Sequence, residues 1–136
     1  MRIPRIYLDT SVIGGYYDAE FLLPTRQLFA QIREGQLKGV ISTIVEEELT
    51  GAPAEVREFA RSCAFEVLQE TPETIELAQT YIREQAAAKN LLADCRHVAV
   101  AAVAHLDLLV SWNFHHIVHF DRIRAFNAVN LKLGYG

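Results

Sequence analysis

The 136-residue chain is 51% apolar and 22% charged, with a net charge of −4 at pH 7. That composition fits one globular domain, residues 1–136, with a sizeable core, and it excludes a disordered tail or a low-complexity polymer. The acidic balance argues against a free-standing basic nucleic-acid binder, but leaves room for a nuclease whose acids hold cations.

Arg5 to Leu8 reads as a short apolar strand ending at Asp9. Glu20 to Glu34 carries Leu28, Phe29 and Ile32 at helical spacing, with Gly35 as a stop. Val40-Ile41 is a second, β-branched strand. Thr43 then offers an N-cap with Glu46 three residues on, a capping box, and Gly51 and Pro53 break that helix. Pro53 is placed to start the next one. Phe65 to Leu68 reads as a third strand. A long helix over Pro72–Lys89 carries Ile75, Ala78 and Ile82 on one stripe, and a second over Leu91–His105 is apolar on almost every side. Leu108-Leu109-Val110 is a fourth strand, His119–Phe126 a short helix and Ala128–Leu131 a fifth strand. Short continuous apolar strands alternating with helices predict an α/β protein, a parallel sheet of about five strands covered on both faces.

The longest apolar run, Val98 to Ala104, is far too short to span a membrane. No signal-peptide core follows Met1–Arg5, because Asp9 interrupts the run. The expectation is a cytoplasmic protein with no membrane partner, its two cysteines, Cys63 and Cys95, reduced and held in helices. P-loop, dinucleotide-binding and serine-hydrolase signatures are missing. Asp9-Thr10-Ser11 lacks the second Asp of a phosphatase D-x-D nucleophile.

In parallel α/β sheets ligands sit beyond the carboxyl ends of the strands. Asp9 stands at that end of the first strand, and Ser111, Trp112 and Asn113 at that end of the fourth. An Asx turn or helix cap is the commoner use of Asp at a strand end. Glu48 is more informative, because it shares the stripe of Val45, Leu49 and Ala52, whereas the capping box accounts for Glu46 and Glu47 points away. The competing reading is a solvated charge run on a short helix. Asp94 lies in the stripe Leu91, Asp94, Cys95, Val98, Ala102, and also in a first helical turn, where any carboxylate is favoured. Carboxylates that approach a core together need a cation to be tolerated, and hard oxygen ligands suit Mg²⁺ or Mn²⁺. His115, His116 and His119 form a rival, H-H-x-x-H zinc arrangement. Surface or substrate-facing roles, His116 among them, fit that run better; His97 and His105 read as satisfied helix residues.

Four motifs in order now spell a resemblance: Tyr7-Leu8-Asp9-Thr10-Ser11-Val12-Ile13, Ile41-Ser42 to Glu48-Leu49, Asp94-Cys95-Arg96-His97-Val98-Ala99-Val100-Ala101 and Leu109-Val110-Ser111-Trp112-Asn113-Phe114. The chain resembles the PIN-domain nucleases, and its Ser-Trp-Asn-Phe-x-His-Ile run is similar to a bacterial and archaeal subgroup related to VapC toxins. The resemblance covers nearly the whole chain. It implies a three-layer α/β/α sandwich and a Mg²⁺- or Mn²⁺-dependent ribonuclease acting on RNA phosphodiesters, as the toxin of a type II toxin-antitoxin pair. Asp9, Glu48 and Asp94 fall on the family's acidic ligands, with Asp9 and Asp94 holding the metal and Glu48 orienting water or completing the shell. Ser11 and Ser111 fall on supporting polar positions. Asn113 stands where the family has a fourth acid, which removes one charge and makes a catalytically weak PIN-fold binding module the alternative. The resemblance also implies a cognate antitoxin protein as partner. Val56, Phe59, Ile75, Leu77, Tyr81 and Ile82 exceed what one stripe needs, so a homodimer or antitoxin contact competes with plain core packing.

Overall fold

The structure, a computed structural model, describes residues 2–84 and 91–112. These fall into two compact units, one built from residues 2–68 and 106–112, the other from residues 69–84 and 91–105.

The first unit is a parallel sheet with four of the helices. Strands β1 (Arg5–Leu8), β2 (Lys38–Ser42), β3 (Glu66–Leu68) and β4 (Leu108–Val110) lie in the order β3-β2-β1-β4. Register pairs Tyr7 with Val40 and with Leu109, and Ile41 with Val67, all parallel. The inner strands are apolar without alternation because both faces are covered: Ile6, Tyr7, Leu8, Val40 and Ile41 are all buried. At the amino end of the sheet Arg5 and Lys38 both pair with Glu66, which ties β1 and β2 to β3. Gly39 makes room for a ring: a Cβ there would stand 3.1 Å from Phe65. The predicted strands match within a residue or two, while Ala128–Leu131 and the helix over His119–Phe126 lie outside the described residues.

The helices of this unit are α1 (Thr10–Gly15), α2 (Leu22–Arg33), α3 (Thr43–Leu49) and α4 (Ala54–Ser62). The pattern of apolar spacing does not reveal α1, which is under two turns long and begins directly after β1. Two capping expectations are corrected. The N-cap of α3 is Ser42, in extended conformation, whose hydroxyl accepts from the Ile44 N–H at 3.2 Å. Thr43 is therefore the first helical residue, and Glu46 is not the partner residue of a box around it. Pro53 is the N-cap of α4 rather than its first helical residue.

The second unit is a helix pair, α5 (Pro72–Arg83) packed on α6 (Leu92–Val103). Thr71 caps α5 in a reciprocal box with Thr74, and Pro72 takes the first helical position, where its missing N–H costs nothing. The helix closes at Glu84, short of the expected Lys89; residues 85–90 lie outside the described range. Its inward face is also turned from the expected stripe. Leu77, Ala78 and Tyr81 join Leu91, Cys95 and Ala99 in one apolar cluster, with Ile82 packed against it, while Ile75 is 45% exposed. Of the six residues weighed as an association surface, Val56, Leu77 and Tyr81 are core. Ala104 is the C-cap of α6, and His105 after it takes a left-handed φ of 53° and donates its N–H to the Ala102 carbonyl. Cys95 is buried within α6, whereas Cys63 lies just past α4 in extended conformation rather than in a helix as expected. No helix among the described residues is long and apolar enough to cross a membrane.

Candidate functional site

Asp9 leaves β1 and becomes the N-cap of α1 in a single residue. Its backbone N–H donates to the Val110 carbonyl at 3.3 Å, which continues the β1–β4 ladder by one more bond. Its side chain is only 4% exposed, so the carboxylate must find partners in protein. It finds three. Oδ1 accepts from the Ser11 hydroxyl at 2.6 Å and from the Val12 N–H at 3.3 Å. Oδ2 accepts from the Ser111 hydroxyl at 2.5 Å. Ser111 is itself buried, at the carboxyl end of β4. The helix cap and the two serine contacts of Asp9 are thus one arrangement.

A hydroxyl carries one proton, and here each proton has a fixed destination. Ser11 accepts from the Trp112 backbone N–H at 3.0 Å, so its own proton is aimed at Asp9. Two serines 100 positions apart in sequence therefore point their donors at opposite oxygens of one carboxylate. That is how a ligand carboxylate is held in a single orientation. Oδ1 uses both of its lone pairs in this scheme and Oδ2 uses one, which leaves one acceptor direction on Oδ2.

Glu48 is placed by a different route. Buried Ile44, Val45 and Leu49 anchor α3, and the Tyr7 hydroxyl lies 2.7 Å from Ser42 Oγ, joining the tip of β1 to the start of this helix. Helical phase puts Glu48 between Ile44 and Val45, as the sequence pattern predicts, yet Glu48 is exposed like Glu46 and Glu47. The expectation that it faces the core is corrected. It lies one turn, about 6 Å along the axis, beyond buried Ile44, and is exposed although the next residue, Leu49, is buried. Its Oε1 instead accepts from the Thr10 hydroxyl at 2.7 Å, immediately after Asp9 in sequence. Thr10 is not legible in the sequence as the partner of Glu48; its only signal is its place next to the strand-tip acid.

Asp94 belongs to the helix-pair unit, in the first turn of α6, and is half-buried. Two residues on, Arg96 forms a bidentate pair with Glu70, at 2.8 and 2.5 Å. The Arg96 guanidinium holds the Glu70 carboxyl below its ordinary value of 4.5. His97 is buried and His105 exposed. Asn113, His115, His116 and His119 lie outside the described residues.

The carboxylate oxygens of Asp9 and Glu48 are the donor type a hard dication takes. Among the described residues no three His, Cys, Asp or Glu side chains gather closely enough to hold one. No protein-family model matches the chain, nor does any curated protein. The likeness to PIN nucleases thus stands on the quoted motif residues alone.

Proposed function

We propose that the chain is a metal-dependent endoribonuclease of the PIN type, a three-layer α/β/α sandwich that acts as the toxin of a toxin-antitoxin pair. The observation that carries this reading is Asp9: a buried carboxylate at the tip of an inner parallel strand, its two oxygens fixed by Ser11 and Ser111. A purely structural cap needs one backbone bond, and two further hydroxyl donors exceed that need. Strand tips are also where parallel α/β sheets bind ligands. Asp94 and Asn113 enter the reading through the family resemblance alone.

In this reading Asp9 and Glu48 would hold Mg²⁺ or Mn²⁺, which would polarise a scissile phosphate and lower the pKa of a bound water. Ser11 and Ser111 keep the Asp9 carboxylate from rotating. Thr10 holds Glu48 close to the start of α1, where it would orient a water or complete the metal shell. The substrate is RNA and the product of attack is a cleaved phosphodiester.

A second reading, a PIN-fold module with little turnover that binds a protein or RNA partner, follows from Asn113, which brings no charge where the resemblance leads one to expect an acid. One experiment separates the two. Purified protein is incubated with structured and single-stranded RNA in Mn²⁺ or Mg²⁺, with EDTA and Asp9→Asn as controls. Cleavage that EDTA stops and Asp9→Asn reduces to background supports the nuclease. Cleavage that survives both, or none by the wild type, overturns it.

A further inference from the structure

Trp112, the only tryptophan of the chain, follows Ser111 at the end of β4. Its backbone N–H donates to Ser11, and its side chain is fastened elsewhere. The indole Nε1–H donates to Thr25 Oγ1 at 3.0 Å. Thr25, in α2, is fully buried, and its own hydroxyl proton goes back to the Phe21 carbonyl at 2.6 Å. The Phe21 ring then lies parallel to the indole, 2° from coplanar, with centroids 5.5 Å apart. Gly15, the last residue of α1, provides the clearance: a Cβ there would meet Thr25 Oγ1 at 2.7 Å and the indole at 2.8 Å.

These bonds run in one direction without a gap. Thr25 spends its proton on Phe21 and so presents an acceptor to the indole. The indole fixes residue 112, whose N–H occupies the acceptor side of Ser11. Ser11 is left with one use for its proton, which is Asp9. From these we infer that Trp112 is a positioning residue for the Asp9 carboxylate, acting through Ser11 and locked by Thr25 in the slot that Gly15 leaves open. The inference rests on the proposed nuclease reading for its effect on turnover, but its geometry does not depend on that reading. A packed indole needs an acceptor in any case; what sets this one apart is that the backbone N–H of the same residue donates to Ser11, the hydroxyl that holds Asp9.

Thr25→Val tests it, because the shape is kept and the acceptor lost; Thr25→Ser restores the acceptor, and Trp112→Phe removes the donor while keeping a ring on Phe21. Expected is a fall in kcat on the order of 10-fold for Thr25→Val, with KM little changed, and recovery in Thr25→Ser. In the metal-free protein the amides of Val12 and Trp112 should lose exchange protection in Thr25→Val while those of β2 keep theirs, and the Trp112 emission maximum should shift. Uniform loss of protection across the sheet with kcat of the folded fraction unchanged would mean that Thr25 merely supports the fold, and overturns the inference. If the wild type cleaves no RNA, the nuclease reading fails, and the selective exchange at Val12 and Trp112 still decides: loss supports the latch, no change overturns it.

Discussion

The tip of the sheet and the helix pair are built on opposite principles. At the sheet tip, order comes from hydrogen bonds among polar groups, most of them buried: Asp9, Ser42, Thr25 and Ser111 with Tyr7, Ser11 and Trp112. In the helix pair, order comes from apolar contact among Leu77, Ala78, Tyr81, Leu91, Cys95 and Ala99, and the chief polar pair, Glu70 with Arg96, is only part-buried. Apolar packing is nondirectional and tolerates small shifts of one helix on the other. Matched hydrogen bonds fix orientation, since each donor has one acceptor and a buried donor left over is costly. A carboxylate that must face one way belongs in the first kind of region, and Asp9 is there.

Three perturbations probe this contrast, from the largest effect down. Tyr81→Ala empties the centre of the helix-pair cluster, where Tyr81 is fully buried. It should cost about 3–5 kcal/mol in urea unfolding. A loss below about 1 kcal/mol would show that the cluster does not hold the pair. At the sheet tip, Ser42→Ala removes the α3 cap and the partner of the buried Tyr7 hydroxyl. The expected loss is about 1–2 kcal/mol, against a few tenths of a kcal/mol for Glu46→Gln, whose side chain makes no cap. Equal losses in the two variants would return the cap to Thr43 and Glu46.

The smallest effect is electrostatic. Arg96 depresses the Glu70 pKa in the folded protein, so Glu70 adds stability where it is ionised. Wild type should exceed Glu70→Gln by about 1 kcal/mol at neutral pH, since the pair is part-buried and partly screened. That margin is full above the ordinary glutamate value of 4.5 and is lost as pH falls through the lower folded pKa. Thermal melts of both proteins across acid pH measure it, and a margin that grows on acidification would reverse the assigned direction.

Much of this architecture is legible in the sequence because parallel strands buried on both faces are short unbroken apolar runs, and Arg5–Leu8, Val40-Ile41 and Leu108–Val110 have that form. Helix α1 is illegible for a physical reason: six residues hold too few turns for a periodicity to emerge. The phase of Glu48 is legible, but not its exposure, because that depends on what the rest of the chain places over that part of the helix and not on the angle of the side chain alone. On α5, Ile75, Ala78 and Ile82 and the observed Leu77, Ala78 and Tyr81 are two nearly equal apolar arcs, and only the neighbouring helix selects between them. The roles of Ser11 and Ser111 could be assigned by position within motifs. Thr25 could not, since its partner Trp112 is 87 residues away.

The bond from Ser111 to Asp9 spans 102 positions. During synthesis Asp9 emerges early, yet its Oδ2 has no serine donor until the ribosome has added those residues and the loop between them has closed. The entropic cost of closing a loop grows only slowly with its length, so the delay is set by translation rather than by the closure itself. The second anchor of that carboxylate is thus acquired only after the strand that carries the carboxylate has long been made.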